Sequence, residues 1–134
     1  MELESTEIQS SEVFIYSSMR LQVHVCKNIA DEITLRKIWE KITQKVAFSQ
    51  CKSQPCAWRV RDKVSGLFFE QYKDNGSIGT GNKMLRLLKK RKVINMLICV
   101  FITQALAPLN PSIDHSSIIS AINVTFQFFK IEYS

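Results

Sequence analysis

Seventeen consecutive residues, Val93 to Leu109, carry no charge. No other feature of the chain restricts its fold as strongly, because an uncharged apolar run of this length must be kept from water. A membrane-spanning helix needs about 20 apolar residues. This run is shorter, contains Asn95, Thr103 and Gln104, and meets Pro108 near its end. A buried central strand over Val93–Phe101, followed by a loop marked by Pro108 and Pro111, fits it better. No membrane partner is expected.

The segments on either side supply elements that can cover such a strand. Val13–Val25 is rich in β-branched and aromatic residues, and Leu21, Val23 and Val25 alternate with Gln22 and His24. That period of two marks a strand. Leu35, Ile38, Trp39, Ile42 and Val46 then recur at helical spacing, with Asn28 as the expected N-cap and Asp31 and Glu32 in the first turn. Cys56, Trp58 and Val60 alternate again. Asp62–Gly66 reads as a turn, and Leu67–Tyr72 as the returning strand of a hairpin. The end of the chain is ambiguous. Ile118, Ile119, Ile122, Phe126 and Phe129 suit a helix, while Ile122, Val124, Phe126 and Phe128 alternate as in a strand. Leu35, Ile38, Ile42, Leu85, Leu88, Leu97 and Val100 are the expected core.

With 134 residues, 46% of them hydrophobic, the chain is large enough for one domain with a real core and too short for two. Residues 1–12 hold Glu2, Glu4, Glu7 and Glu12 and read as an acidic, frayed tail, leaving 13–134 as a single domain. The first residues lack the basic and apolar regions of a secretory signal. Cys26, Cys51, Cys56 and Cys99 are therefore expected to be reduced thiols in a cytoplasmic protein. They form no Cys-x-x-Cys pair, and only His24 and His115 could join them. No metal site or cofactor is expected. The sequence does not fix an oligomeric state.

The net charge of +6, from 18 Lys and Arg against 12 Asp and Glu, favours anionic partners. Two features could hold one. Asp74, Gly76, Gly79 and Gly81 belong to a Gly-rich loop that leads into a helix, where converging N–H groups and the helix dipole favour an anion. The loop lacks the Gly-Lys-Ser/Thr of a P-loop and the spacing of a dinucleotide fingerprint, and a plain turn with a helix cap is the simpler reading. The helix behind it is basic: Lys83, Arg86 and Lys90 share a face, Lys89 lies beside Arg86, and Arg91 and Lys92 fall in the exit turn. Arg59 and Arg61 on the hairpin could extend this patch. No aromatic platform accompanies the charges, as stacking on single-stranded RNA would require. No catalytic constellation is present. Ser77, Ser116 and His24 lack visible partners, and His115 beside Asp114 is only adjacency in sequence.

The succession of motifs resembles the ancient domain of the Impact family. Ala57-Trp58-Arg59-Val60 is followed by Asp74-Asn75-Gly76, then by a Gly-bearing loop into Lys83-Met84-Leu85 and Leu88. Val93, Asn95 and Met96–Val100 come next, and Pro111 follows. The family shows Ala-Tyr-Arg-Ile, Asp-Asp-Gly-Glu, a Gly-rich helix start and Val-x-Asn-Val-x-Val-Val-Val in this order. Ser77 stands where the family has Glu, Ile102 where it has Arg, and Ser53 where it has His, so most polar groups of a family site are replaced.

The resemblance implies an α+β two-layer sandwich like the second domain of ribosomal protein S-five, a mixed sheet with helices on one face, and it turns the ambiguous end toward a helix. It also implies a non-enzymatic module acting through protein contacts in translational control, on the pathway that activates the amino-acid-starvation kinase. The alternative is a weak RNA- or phosphate-binding module using the basic helix and the Gly-rich loop.

Overall fold

The computed structural model describes residues 7–16, 19–105 and 111–131. Along the chain run β1 (Ile8–Tyr16), β2 (Met19–Cys26), α1 (Glu32–Thr43), α2 (Val46–Gln50), β3 (Cys56–Arg61), β4 (Phe68–Lys73), α3 (Thr80–Lys90), β5 (Met96–Ala105) and α4 (Pro111–Phe128). The strands form one sheet in the order β1-β2-β5-β3-β4.

The uncharged run supplies β5, the centre of this sheet. Leu97, Cys99 and Phe101 point to one face and Ile98, Val100 and Ile102 to the other, and all six are buried. A strand buried on both faces cannot alternate apolar with polar residues, which is why the run has no charge. Among the described residues no helix is long and apolar enough to cross a membrane.

The α+β class holds. Two details differ from expectation. The sheet is antiparallel throughout rather than mixed. Strands β2 and β3 do run in the same direction, being joined through α1 and α2, but β5 inserts between them and pairs antiparallel with each. Helices also cover both faces instead of one. Leu35, Ile38 and Ile42 of α1 pack on Cys26, Cys56, Trp58, Val60 and the odd residues of β5. Met84 and Leu88 of α3 and Ile118, Ile122 and Phe126 of α4 pack on Leu21, Val23, Val25 and the even residues of β5. Because β2, β3 and β5 each present apolar side chains on both sides, one helical layer would leave half of them in water. Of the expected core only Leu85 is half-buried; Met84 beside it takes the inward position.

Element boundaries shift for local reasons. β1 begins at Ile8, within the segment read as a tail, and pairs with β2. A bulge between Ser10 and Val13 interrupts that pairing. There the Ser11 hydroxyl accepts the Val23 N–H at 2.9 Å in place of a backbone carbonyl. Asp31, not Asn28, caps α1: its extended backbone lets the carboxylate accept the Thr34 N–H at 2.8 Å. Asn28 precedes the cap in the left-handed region, φ +62°. Val46 belongs to the separate α2. The ambiguous final stretch is helix α4, and Pro108 lies outside the described residues.

Candidate functional site

The Gly-rich loop begins where β4 ends. Gly76 (φ +95°) and Gly79 (φ +84°) adopt backbone conformations that favour glycine, and Gly79 is the residue just before α3. Gly81 is required for another reason. A Cβ there would stand 2.5 Å from the Lys73 carbonyl oxygen. This close approach brings the start of α3 against Asp74, whose carboxylate accepts the Gly79 N–H at 3.0 Å and the Gly81 N–H at 2.8 Å. The chain's own carboxylate therefore sits where an external anion was expected. The Ser77 and Thr80 hydroxyls bond to each other at 2.5 Å and are buried. The simpler of the two sequence readings describes the loop: Asp74, Gly76, Gly79 and Gly81 build a helix cap whose donors are taken.

Arg59 does not extend the basic patch. On β3 it stands opposite Glu70 of β4. Its side chain is 13% exposed and lies 3.7 Å from the Glu70 carboxylate. It also donates to the Val93 carbonyl at 3.1 Å. Lys89 reaches the same carboxylate oxygen at 3.7 Å. Arg59 thus ties the hairpin to the start of the central run, while Lys89 links α3 to β4.

Lys83, Arg86 and Lys90 remain. All three are exposed, spacing by three and four keeps them on one face of α3, and among the described residues none of them has a carboxylate within ion-pair distance. Arg91 lies elsewhere, with its guanidinium 6.0 Å from the Phe126 ring of α4. Lys92 leaves the helix in the left-handed region, φ +57°.

Reading along the chain could not reveal a row of side chains that only strand register assembles. Ser10, His24, Cys99, Cys56 and Lys73 stand opposite one another on five successive strands. His24 is 5% exposed, bonds through Nδ1 to the Ser10 hydroxyl at 2.7 Å and lies 4.2 Å from the Phe101 ring. Burial, helped by nearby Lys45, lowers its pKa from 6.5 to about 4. Burial likewise holds the Cys99 thiol well above the ordinary range and raises Cys26 to about 11. The four cysteines are free. Thiols held above their ordinary range, as at Cys26, Cys51 and Cys99, are weak nucleophiles, and the His24 ring is closed off from solvent beside Phe101. Among the described residues no group of three His, Cys, Asp or Glu side chains could hold a metal ion.

Other motif residues are structural. Asn95, in the left-handed region, donates from Nδ2 to the Ile29 carbonyl at 2.6 Å and accepts the Ile29 N–H at 3.0 Å through its own carbonyl. It fastens the loop before α1 to the entrance of β5. His115 approaches the Ile78 carbonyl at 3.0 Å and covers Gly79. A cleft of about 390 Å³ lies between α1 and β4, with Glu32, Leu35, Arg36, Trp58, Phe69 and Gln71 among its walls.

A solved crystal structure described only as that of a hypothetical protein has a similar fold. Its TM-score is 0.70 at 13% sequence identity, over 90% of this chain and 57% of that one. At that identity the likeness shows the fold alone, and this chain spans little more than half of that protein's length. No family model and no curated protein matches the chain.

Proposed function

We propose that this chain is a non-enzymatic, cytoplasmic protein-binding module of the Impact type that docks an acidic partner through the outer face of α3. The observation that carries the reading is the pairing pattern of the cations. Arg59 and Lys89 are engaged by Glu70, whereas Lys83, Arg86 and Lys90 project together without a carboxylate partner among the described residues. The Gly79 and Gly81 N–H groups, which could have bound a phosphate, are held by the Asp74 carboxylate, which favours a broad electrostatic contact over a small-anion pocket. The order of motifs and the α+β sandwich support the Impact assignment, and with it a role in translational control under amino-acid starvation.

Capture from cell extract, with and without nuclease, tests the reading. The expected complex survives nuclease and is weakened when Lys83, Arg86 and Lys90 are all changed to Gln. If RNA is bound instead, nuclease releases the captured material. RNA affinity then falls steeply with salt, and the triple variant flattens that slope by about three charges' worth. That result would overturn the proposal.

A further inference from the structure

Register places two of the four cysteines face to face. Cys56 of β3 stands directly opposite Cys99 of β5. One step along the ladder the Val100 N–H bonds the Pro55 carbonyl at 2.9 Å. Hydrogen-bonded and non-hydrogen-bonded pairs alternate in an antiparallel ladder, so Cys56 and Cys99 form a non-hydrogen-bonded pair. Strands approach most closely at such pairs, with Cα atoms about 4.5 Å apart, inside the span of about 4.4–6.8 Å that a disulfide bridges. Both side chains point to the α1 face. Neither is exposed to solvent, and both thiols are free. Burial first, and then a hydrogen bond with the Cys56 thiol, keep the proton on Cys99.

The other two cysteines have no such partner. Cys26 of β2 stands between Ile8 and Leu97. Cys51 follows α2, and its Sγ donates to the Ala47 carbonyl at 2.8 Å. The facing pair is buried but lies just under the surface: Cys99 Sγ is 3.9 Å from the carbonyl oxygen of half-buried Gln54, in the loop that leads into β3.

We propose that Cys56 and Cys99 are a reversible oxidation site, closing to a disulfide across the centre of the sheet when hydrogen peroxide reaches them. A thiolate sulfur of the pair attacks one peroxide oxygen. The S–O bond forms, the O–O bond breaks, and the departing hydroxide takes up a proton as water. The opposite sulfur then attacks the sulfenic acid. The S–S bond forms, the S–O bond breaks, and a second water leaves with the thiol proton. Two thiols are oxidised and one peroxide is reduced to two waters. Burial makes the first step slow, because the thiolate is the reacting species. The second needs no encounter, because the partner already stands opposite. The bond encloses residues 57–98, which include β4 and α3. Oxidation therefore fastens the helix that bears Lys83, Arg86 and Lys90 to the central strand, and a thiol reductant releases it by exchange. The site goes beyond the docking reading and does not depend on it.

Peptide mapping of the unaltered protein after treatment with hydrogen peroxide tests the proposal. The expected product is a single cross-link, Cys56–Cys99, that dithiothreitol removes. Cys26 is equally buried but has no cysteine opposite, and should be recovered as a thiol. In urea concentrated enough to unfold the chain, the same treatment should give mixed pairings that include Cys26 and Cys51. Cys51→Ser removes the half-buried thiol and should form the Cys56–Cys99 bond at an unchanged rate, with loss of two of its three remaining thiols.

Four results would overturn the proposal. Cys56 and Cys99 could both be recovered as thiols while Cys51 is oxidised. The native product could pair Cys51 with either of them. The same mixture of pairs could arise with and without urea. Finally, the cross-link could fail to form in Cys51→Ser, which would make Cys51, not the facing pair, the group that meets peroxide.

Discussion

Acidification should destabilise this fold through His24 before its carboxylates titrate. The ring is 5% exposed, packed at 4.2 Å against Phe101 and anchored to Ser10, with its pKa lowered from 6.5 to about 4. Burial lowers the folded-state pKa, so between those two values the unfolded chain binds the proton and the folded chain does not. Stability from the neutral ring is fully present above pH 6.5 and is lost as pH falls toward 4. A shift of that size corresponds to about 3 kcal/mol in all, of which about 2 kcal/mol is gone by about pH 5. Urea unfolding of the parent and of His24→Gln across this range isolates the effect. Gln removes the titration and costs packing equally at every pH. The carboxyls of Asp31 and Asp62, held low by hydrogen bonds to Thr34 and to the backbone at Ser65, contribute alike to both proteins and cancel. The stability difference between the two proteins should therefore shrink steadily as pH falls through the window. A difference that stays constant, or a His24 ring that titrates near 6.5 by NMR, would refute the reasoning.

Three substitutions test other parts of the fold. Leu97→Ala empties a site with no solvent exposure on the central strand and should cost about 2–5 kcal/mol in denaturant melts; a loss below about 1 kcal/mol would show that β5 is not central. Gly81→Ala places a Cβ 2.5 Å from the Lys73 carbonyl and should cost about 1–3 kcal/mol by the same measurement. Asp74→Asn keeps one acceptor for the two N–H groups of Gly79 and Gly81 and should cost about 1–3 kcal/mol in a thermal melt; an unchanged midpoint would mean the cap carries no stability.

What the sequence revealed depended on how local each signal is. Trp58 and Val60 announce a strand because the pleat alternates within a few residues, and Ile38 and Ile42 announce a helix by the same logic. The central position of β5 was legible from its lack of charge alone. Sheet order was not, because nothing within β2 or β3 records that β5 inserts between them. The second helical layer was encoded in Cys56, Trp58 and Val60 facing away from Ala57, but it becomes visible only when both sides of a strand are counted. His24 next to Cys99 arises from register between residues 75 positions apart, beyond any periodicity.

The candidate site carries a more general lesson about glycine. Gly76, Gly79 and Gly81 mark places where the backbone turns left-handed or something must come close to it, and an incoming phosphate and the chain's own carboxylate leave the same glycine signature. The residue that separates the two outcomes stands just upstream. Asp74 is near enough to fold back on both N–H groups, so the loop carries its anion covalently. Once that anion is counted, the loop keeps little positive potential of its own, and the exposed cations nearest it are those of α3, Lys83, Arg86 and Lys90. The same accounting removes Arg59 and Lys89, which Glu70 engages. Pairing each cation with its nearest carboxylate therefore leaves a row of exposed cations on α3, Lys83, Arg86 and Lys90, and a second, shorter row on α1, Lys37 and Lys41, with no ion pair among the described residues.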